Sequence, residues 1–161
     1  FLFLPEGIQS EYQILFKFIL DCAKTFPSYS FVWRSHPSLD LECLDLFENI
    51  TLPSNIIISK NTFEDDLKRS TYEMYRGTTA IIRAVKANVI PIYLKMKGEI
   101  GIDILHELDV NRVSSPFELK SLLSDSKKIM NSENNLKFCN NYFRPLDHKS
   151  FIRVISRYDA Q

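Results

Sequence analysis

The chain is poor in cysteine, has no long apolar run and has no excess of either charge. Cys22, Cys43 and Cys139 are odd in number and widely spaced, with neither metal-ligand spacing nor a disulfide framework, so a reducing compartment, the cytoplasm, is expected. No run of about 18 apolar residues, as a transmembrane helix needs, stands in the sequence, and no secretory pattern is legible. Lys and Arg number 20 and Asp and Glu number 20, which cancel. Bulk charge therefore gives no reason to expect nucleic acid or an anionic membrane surface as a partner. His106 and His148 show no zinc spacing, and neither a metal nor a cofactor is expected. Repeats, low-complexity tracts and internal linkers are also lacking. What remains is a chain of 161 residues, 45% apolar and 25% charged, which suits one globular domain over residues 1–161 with a sizeable core.

Along that domain, strand-like and helix-like patterns alternate. Phe1-Leu2-Phe3-Leu4 reads as a buried strand. Ile8, Tyr12, Leu15, Phe16, Ile19, Leu20 and Ala23 recur at helical spacing and predict a helix over about 8–25. Further strands are expected at 30–34, 55–59, 71–75, 90–94 and 108–113. Ser38 is placed to cap a helix running to about Phe47. Thr62 opens a short helix with Glu64, Asp65 and Asp66 in its first turn and Lys68 and Arg69 in its last, charges that suit the dipole. A helix is expected over 78–88, with Asn88 as a left-handed residue at its end. Ser115-Pro116-Phe117-Glu118 forms a capping box with proline at the first helical position. Residues 124–135 read as polar and irregular or partly helical, and a last helix is expected from about Asp147 to Tyr158. This alternation predicts an α/β, Rossmann-like parallel sheet of about six strands with helices on both faces. Such sheets bind ligands beyond the carboxyl ends of their strands.

Two loops on that edge have phosphate-compatible chemistry. Arg34-Ser35-His36-Pro37 follows Phe31-Val32-Trp33. Tyr75-Arg76-Gly77-Thr78-Thr79-Ala80 sets a glycine and two hydroxyls between a strand and a helix. Free amides at a helix start, a glycine open to close approach and threonine hydroxyls suit an anion. Each residue also has an ordinary structural role open to it. His36 can pack at its strand end, and Arg34 can form a salt bridge. Gly77 can serve close helix–strand packing, and Thr78 can be an N-cap. Arg76 can pair a phosphate or face solvent. Glu6 can face a cleft toward a second domain and Glu99 can reach a ribose or a base, or each can stand solvated in its loop. Tyr72, Met74 and Tyr75 read as strand packing.

The order of these motifs, from the Pro-Glu-Gly loop through Arg34-x-His36-Pro37, Ile56-Ile57-Ile58-Ser59 and Tyr75–Ala80 to Pro91-Ile92-Tyr93-Leu94, resembles the C-terminal, donor-binding half of a GT-B glycosyltransferase. It is most similar to bacterial enzymes of surface-polysaccharide assembly. Sialyl- and Kdo-type transferases that use CMP-sugars have a His-Pro motif and a later Ser-Ser or Ser-Thr motif at the nucleotide, and His36-Pro37 and Thr78-Thr79 match those positions over about residues 1–125. The resemblance implies a nucleotide sugar as donor, a CMP-sugar being favoured, and a glycan as acceptor. Donor-binding residues would be Arg34, His36, Pro37, Arg76, Gly77, Thr78, Thr79 and Glu99. His36 would contact the phosphate or assist the leaving nucleotide.

Many GT-B domains carry Glu-Ala on the helix after the glycine turn, where this chain has Arg83-Ala84. That departure speaks against a UDP- or GDP-sugar and against the UDP-sugar 2-epimerases that share Arg-x-His-Pro. A UDP-sugar 2-epimerase-like or CDP-polyol phosphotransferase domain of the same fold and a non-catalytic interaction domain stay open as alternatives. The chain starts inside a strand without methionine, and is expected to be a fragment whose N-terminal partner, bearing the acceptor site and base, has been removed. Peripheral membrane association of the full-length enzyme is compatible with this reading.

Overall fold

The computed structural model describes residues 1–39, 50–98, 102–125, 132–143, 147–149 and 152. The expected helix after Ser38, residue Glu99 and most of the expected helix from Asp147 to Tyr158 lie outside them. In chain order the elements are β1 (Leu2–Leu4), α1 (Gln9–Thr25), β2 (Phe31–Trp33), β3 (Ile56–Ile58), α2 (Phe63–Lys68), β4 (Tyr72–Tyr75), α3 (Ile81–Lys86), β5 (Ile90–Leu94), β6 (Asn111–Val113), α4 (Pro116–Leu123) and α5 (Glu133–Tyr142). The six strands form one sheet in the order β3-β2-β1-β4-β5-β6, parallel at every pairing. This is a Rossmann-like α/β fold. Its strand order reverses between β1 and β4, which opens a crevice between the loops that follow them.

The inner strands β2, β1, β4 and β5 are nearly all apolar because both of their faces are covered, whereas the edge strands β3 and β6 leave Ile57 and Arg112 exposed. Period-two alternation sends Phe1, Phe3, Phe31, Trp33, Met74, Ile92 and Leu94 to one face, where they meet Leu15, Phe16 and Ile19 of α1 and Leu119 of α4. Leu2, Leu4, Tyr75 and Tyr93 go to the other, against Leu67 of α2, Ile81, Ile82 and Val85 of α3, and Cys139 of α5. Leu15 and Ile19 are fully buried, so truncating either to alanine should cost about 2–5 kcal/mol. Asn55, just before β3, donates from Nδ2 to the carbonyls of Ala23, Phe26 and Tyr29, satisfying groups that the end of α1 leaves open. No described helix is long and apolar enough to cross a membrane.

Local signals hold with some shifts. Asn88 adopts φ 63° after α3, as expected of a left-handed terminator. Ser115 caps α4 by accepting from the Glu118 amide at 3.2 Å. The Glu118 carboxylate returns to the Ser114 amide at 2.6 Å, one residue before the partner a capping box predicts. That bond and the Ser114 hydroxyl hold its carboxyl below the usual range. The helix expected over 78–88 is shorter, Ile81–Lys86, with Ala80 and not Thr78 at its N-cap. Residues expected to be irregular include the start of α5, which Ser132 caps through the Asn135 amide at 3.1 Å.

Candidate functional site

The carboxyl edge of the sheet brings most of the expected residues together. Arg34, His36 and Pro37 come from the end of β2, and Thr78, Thr79 and Ala80 from the turn after β4. With Leu4, Pro5, Phe63, Arg83 and Phe143 they line one cleft of about 410 Å³. The β2 and β4 loops are some 40 residues apart in sequence; the parallel order, with β1 between them, makes them neighbours.

His36 is held from behind. Its Nδ1 accepts the Ser38 amide at 3.2 Å and lies 2.7 Å from the Ser38 hydroxyl. An amide can only donate, so the proton of the neutral ring sits on Nε2, which remains as donor. The ring packs on Gly7. A Cβ there would lie 2.9 Å from both Cε1 and Nδ1 of His36 and 2.7 Å from the Ser38 hydroxyl. Gly7 is thus a supporting residue; the sequence marked it only as the last residue of the Pro-Glu-Gly loop, with no role attached.

Arg34 does two things at once. Its Nη1 donates to the Asn61 carbonyl at 2.7 Å and to Asp66 Oδ2 at 3.0 Å, while its side chain lines the cleft. Asp66, read in the sequence as a dipole-complementing charge, is 2% exposed and also accepts from the Ser59 hydroxyl at 2.6 Å and Asn61 Nδ2 at 3.2 Å. It is a buried anchor for the guanidinium. Asp65 remains a capping group, bonded to Thr62, and that hydrogen bond lowers its carboxyl pKa.

Two expected ligand residues serve the scaffold instead. Arg76 neither faces solvent nor lines the cleft. It is 5% exposed, engages the Glu11 carboxylate through Nε and Nη2, and donates from Nη1 to the Leu94 carbonyl at 3.2 Å, linking α1, β4 and β5. Gly77 is not a lining residue either, because the Glu6 carboxylate sits against it. A Cβ on Gly77 would fall 1.6 Å from Glu6 Oε1. Burial and the neighbouring Glu11 charge raise the Glu6 pKa, opposed by Arg76 and His36. In this arrangement the space beside Gly77 is occupied by a carboxylate of the protein itself.

The helix after the turn also contributes less than the sequence suggests. With six residues, α3 has little macrodipole, and Thr78 spends its hydroxyl accepting the Ala80 amide at 3.3 Å. Charge compensation in the cleft therefore falls to side chains. Arg83 of α3, which stands where many GT-B domains have glutamate, lines the cleft as a second cation. Its guanidinium lies over the Phe63 ring at 4.8 Å, and that of Arg34 at 5.7 Å. Tyr75 is fully buried strand packing, its hydroxyl donating to Asp103 at 2.8 Å. Among the described residues no group of His, Cys, Asp and Glu gathers to hold a metal ion. No family model matches this chain, and neither does any curated protein or solved structure.

Proposed function

We propose that the domain binds the nucleotide of a nucleotide sugar in this cleft, as the donor-binding half of a glycosyltransferase that passes the sugar to a glycan acceptor. The supporting observation is that Arg34, His36, Pro37, Thr78 and Thr79, chosen from two separate loops, line one cleft at the point where the strand order reverses. Its volume, about 410 Å³, lies within the range of small-molecule sites.

The chemistry fits a leaving phosphate. As the bond from the sugar carbon to the phosphate oxygen breaks, negative charge grows on the nucleotide. The Arg34 guanidinium, held by Asn61 and Asp66, and the His36 ring, held by Ser38, are donors fixed at one edge, and fixed donors stabilise such charge without reorganising; the hydroxyls of Thr78 and Thr79 are further donors beside them. In this reading a second domain supplies the acceptor and its base. The donor is a CMP-sugar, and the reaction belongs to surface-polysaccharide assembly in the cytoplasm, where the full enzyme can sit at the membrane periphery. Titration with CMP, UDP, GDP and CDP tests the nucleotide. CMP should bind tightest; UDP binding clearly tighter would replace the CMP assignment, and binding of none would leave an interaction domain.

A further inference from the structure

The two guanidinium groups of the cleft are held differently. Arg34 is anchored by the Asn61 carbonyl and by Asp66, whose side chain is 2% exposed. Arg83 pairs through Nη2 with Glu64 of the neighbouring helix, and the two side chains are 55% and 56% exposed. Exposed ion pairs of this kind are weak, because water competes for both charges and two long side chains must be held in one geometry. Arg83 also rests over the Phe63 ring, an apolar surface along which a guanidinium can slide while keeping its contact. The same side chain already lines the cleft.

We propose that Glu64 is a built-in competitor for the anionic ligand. Arg83 exchanges the Glu64 carboxylate for a phosphate of the bound nucleotide, so Arg34 is the fixed cation of the site and Arg83 the recruited one. This rests on the nucleotide reading above. It makes Arg83 and Glu64 determinants of affinity, with opposite signs, although neither belongs to the two loops that mark the cleft.

The test is a calorimetric titration of the whole chain with CMP, with UDP, GDP and CDP alongside, in the wild type, Glu64→Gln, Arg83→Gln and the double variant. Both side chains are more than half exposed, so all variants should melt with the wild type. Releasing Arg83 from an exposed pair should make Glu64→Gln bind about two- to fivefold tighter. Arg83→Gln should weaken binding on the order of tenfold, the effect of a lost charge-assisted bond. In the Arg83→Gln background, Glu64→Gln should change affinity by less than about 1.5-fold, because the two effects are coupled through one contact. Cytidine, which has no phosphate, should not respond to Glu64→Gln. The full gain persisting without Arg83, or appearing equally with cytidine, would overturn the competition. Nucleotide binding indifferent to both residues would overturn this inference and leave the nucleotide reading standing. Binding of no nucleotide by any variant would overturn both.

Discussion

Replacing Glu73 by methionine should stabilise the domain, and the gain should grow as pH rises. Glu73 lies in β4 with Leu2 of β1 and Pro91 of β5 beside it in register. It is fully buried, and neither carboxylate oxygen has a hydrogen-bond partner among the described residues. Burial raises its pKa well above the ordinary 4.5. Below pH 4.5 the carboxyl is protonated in both the folded and the unfolded chain, and its cost is that of a buried, unpaired polar group, about 1–3 kcal/mol. Above 4.5 the unfolded chain ionises while the folded chain keeps its proton. Stability is then lost by ~1.4 kcal/mol per pH unit until the raised folded pKa is reached. Methionine has the same unbranched reach, no charge and no hydrogen-bonding demand, so it should fill the site with little strain. Urea unfolding of Glu73→Met and wild type at pH 5, 6, 7 and 8 measures the difference directly. The variant should be the more stable by about 1–3 kcal/mol at the acid end, with a gap that widens toward pH 7. By thermal scan each kcal/mol should appear as roughly 2–4 °C. A variant less stable than wild type at every pH, or a gap that does not change with pH, would refute the reasoning and mean that the carboxylate is paired and ionised in the folded protein.

Two further predictions follow from the supports of the cleft. Gly7→Ala places a Cβ 2.9 Å from the His36 ring; it should displace the imidazole and weaken CMP binding on the order of tenfold, one lost charged hydrogen bond, with a change in unfolding free energy under about 1 kcal/mol. Unchanged CMP affinity would detach His36 from the site. Asp66→Asn removes the buried anchor of Arg34, Ser59 and Asn61, and should lower stability by about 1.5–3 kcal/mol and weaken CMP binding as Arg34 loses its orientation; urea unfolding that matches wild type would show that the network carries no stability.

The regular parts of this fold were legible because their signals are local. In α1 the apolar residues recur at helical spacing, and the strand-like runs of Phe31–Trp33 and Ile90–Leu94 are apolar because they lie inside the sheet; Ile56–Ile58 is equally apolar, although its edge position leaves Ile57 exposed. The site was legible in part for a similar reason, since a strand-to-loop boundary fixes which residues reach the carboxyl edge. What could not be read depended on pairs far apart in sequence. Arg76 meets Glu11 across 65 residues, and no spacing rule separates such a buried ion pair from a phosphate ligand. Gly77 carries a familiar turn signal, yet the group that approaches it is Glu6 of another loop. The helix α5 was missed because Asn134, Asn135, Asn140 and Asn141 give it poor intrinsic propensity. Tertiary packing of Cys139 and the bond from Asn135 Nδ2 to the Asp109 carbonyl at 3.0 Å hold it in place.

The most direct measurement of the central claim is CMP binding by the wild type and by His36→Ala, read by calorimetry and by melting temperature together. CMP at about 100 times its dissociation constant should add roughly 2.7 kcal/mol of stability to the wild type, a rise of several degrees. His36→Ala should bind CMP roughly 10- to 150-fold more weakly, the effect of one charged hydrogen bond, while melting with the wild type in the absence of nucleotide, because His36 lies in a loop outside the core. An unchanged CMP affinity in His36→Ala accompanied by a large loss of stability would contradict the account and leave His36 as a packing residue at the end of β2.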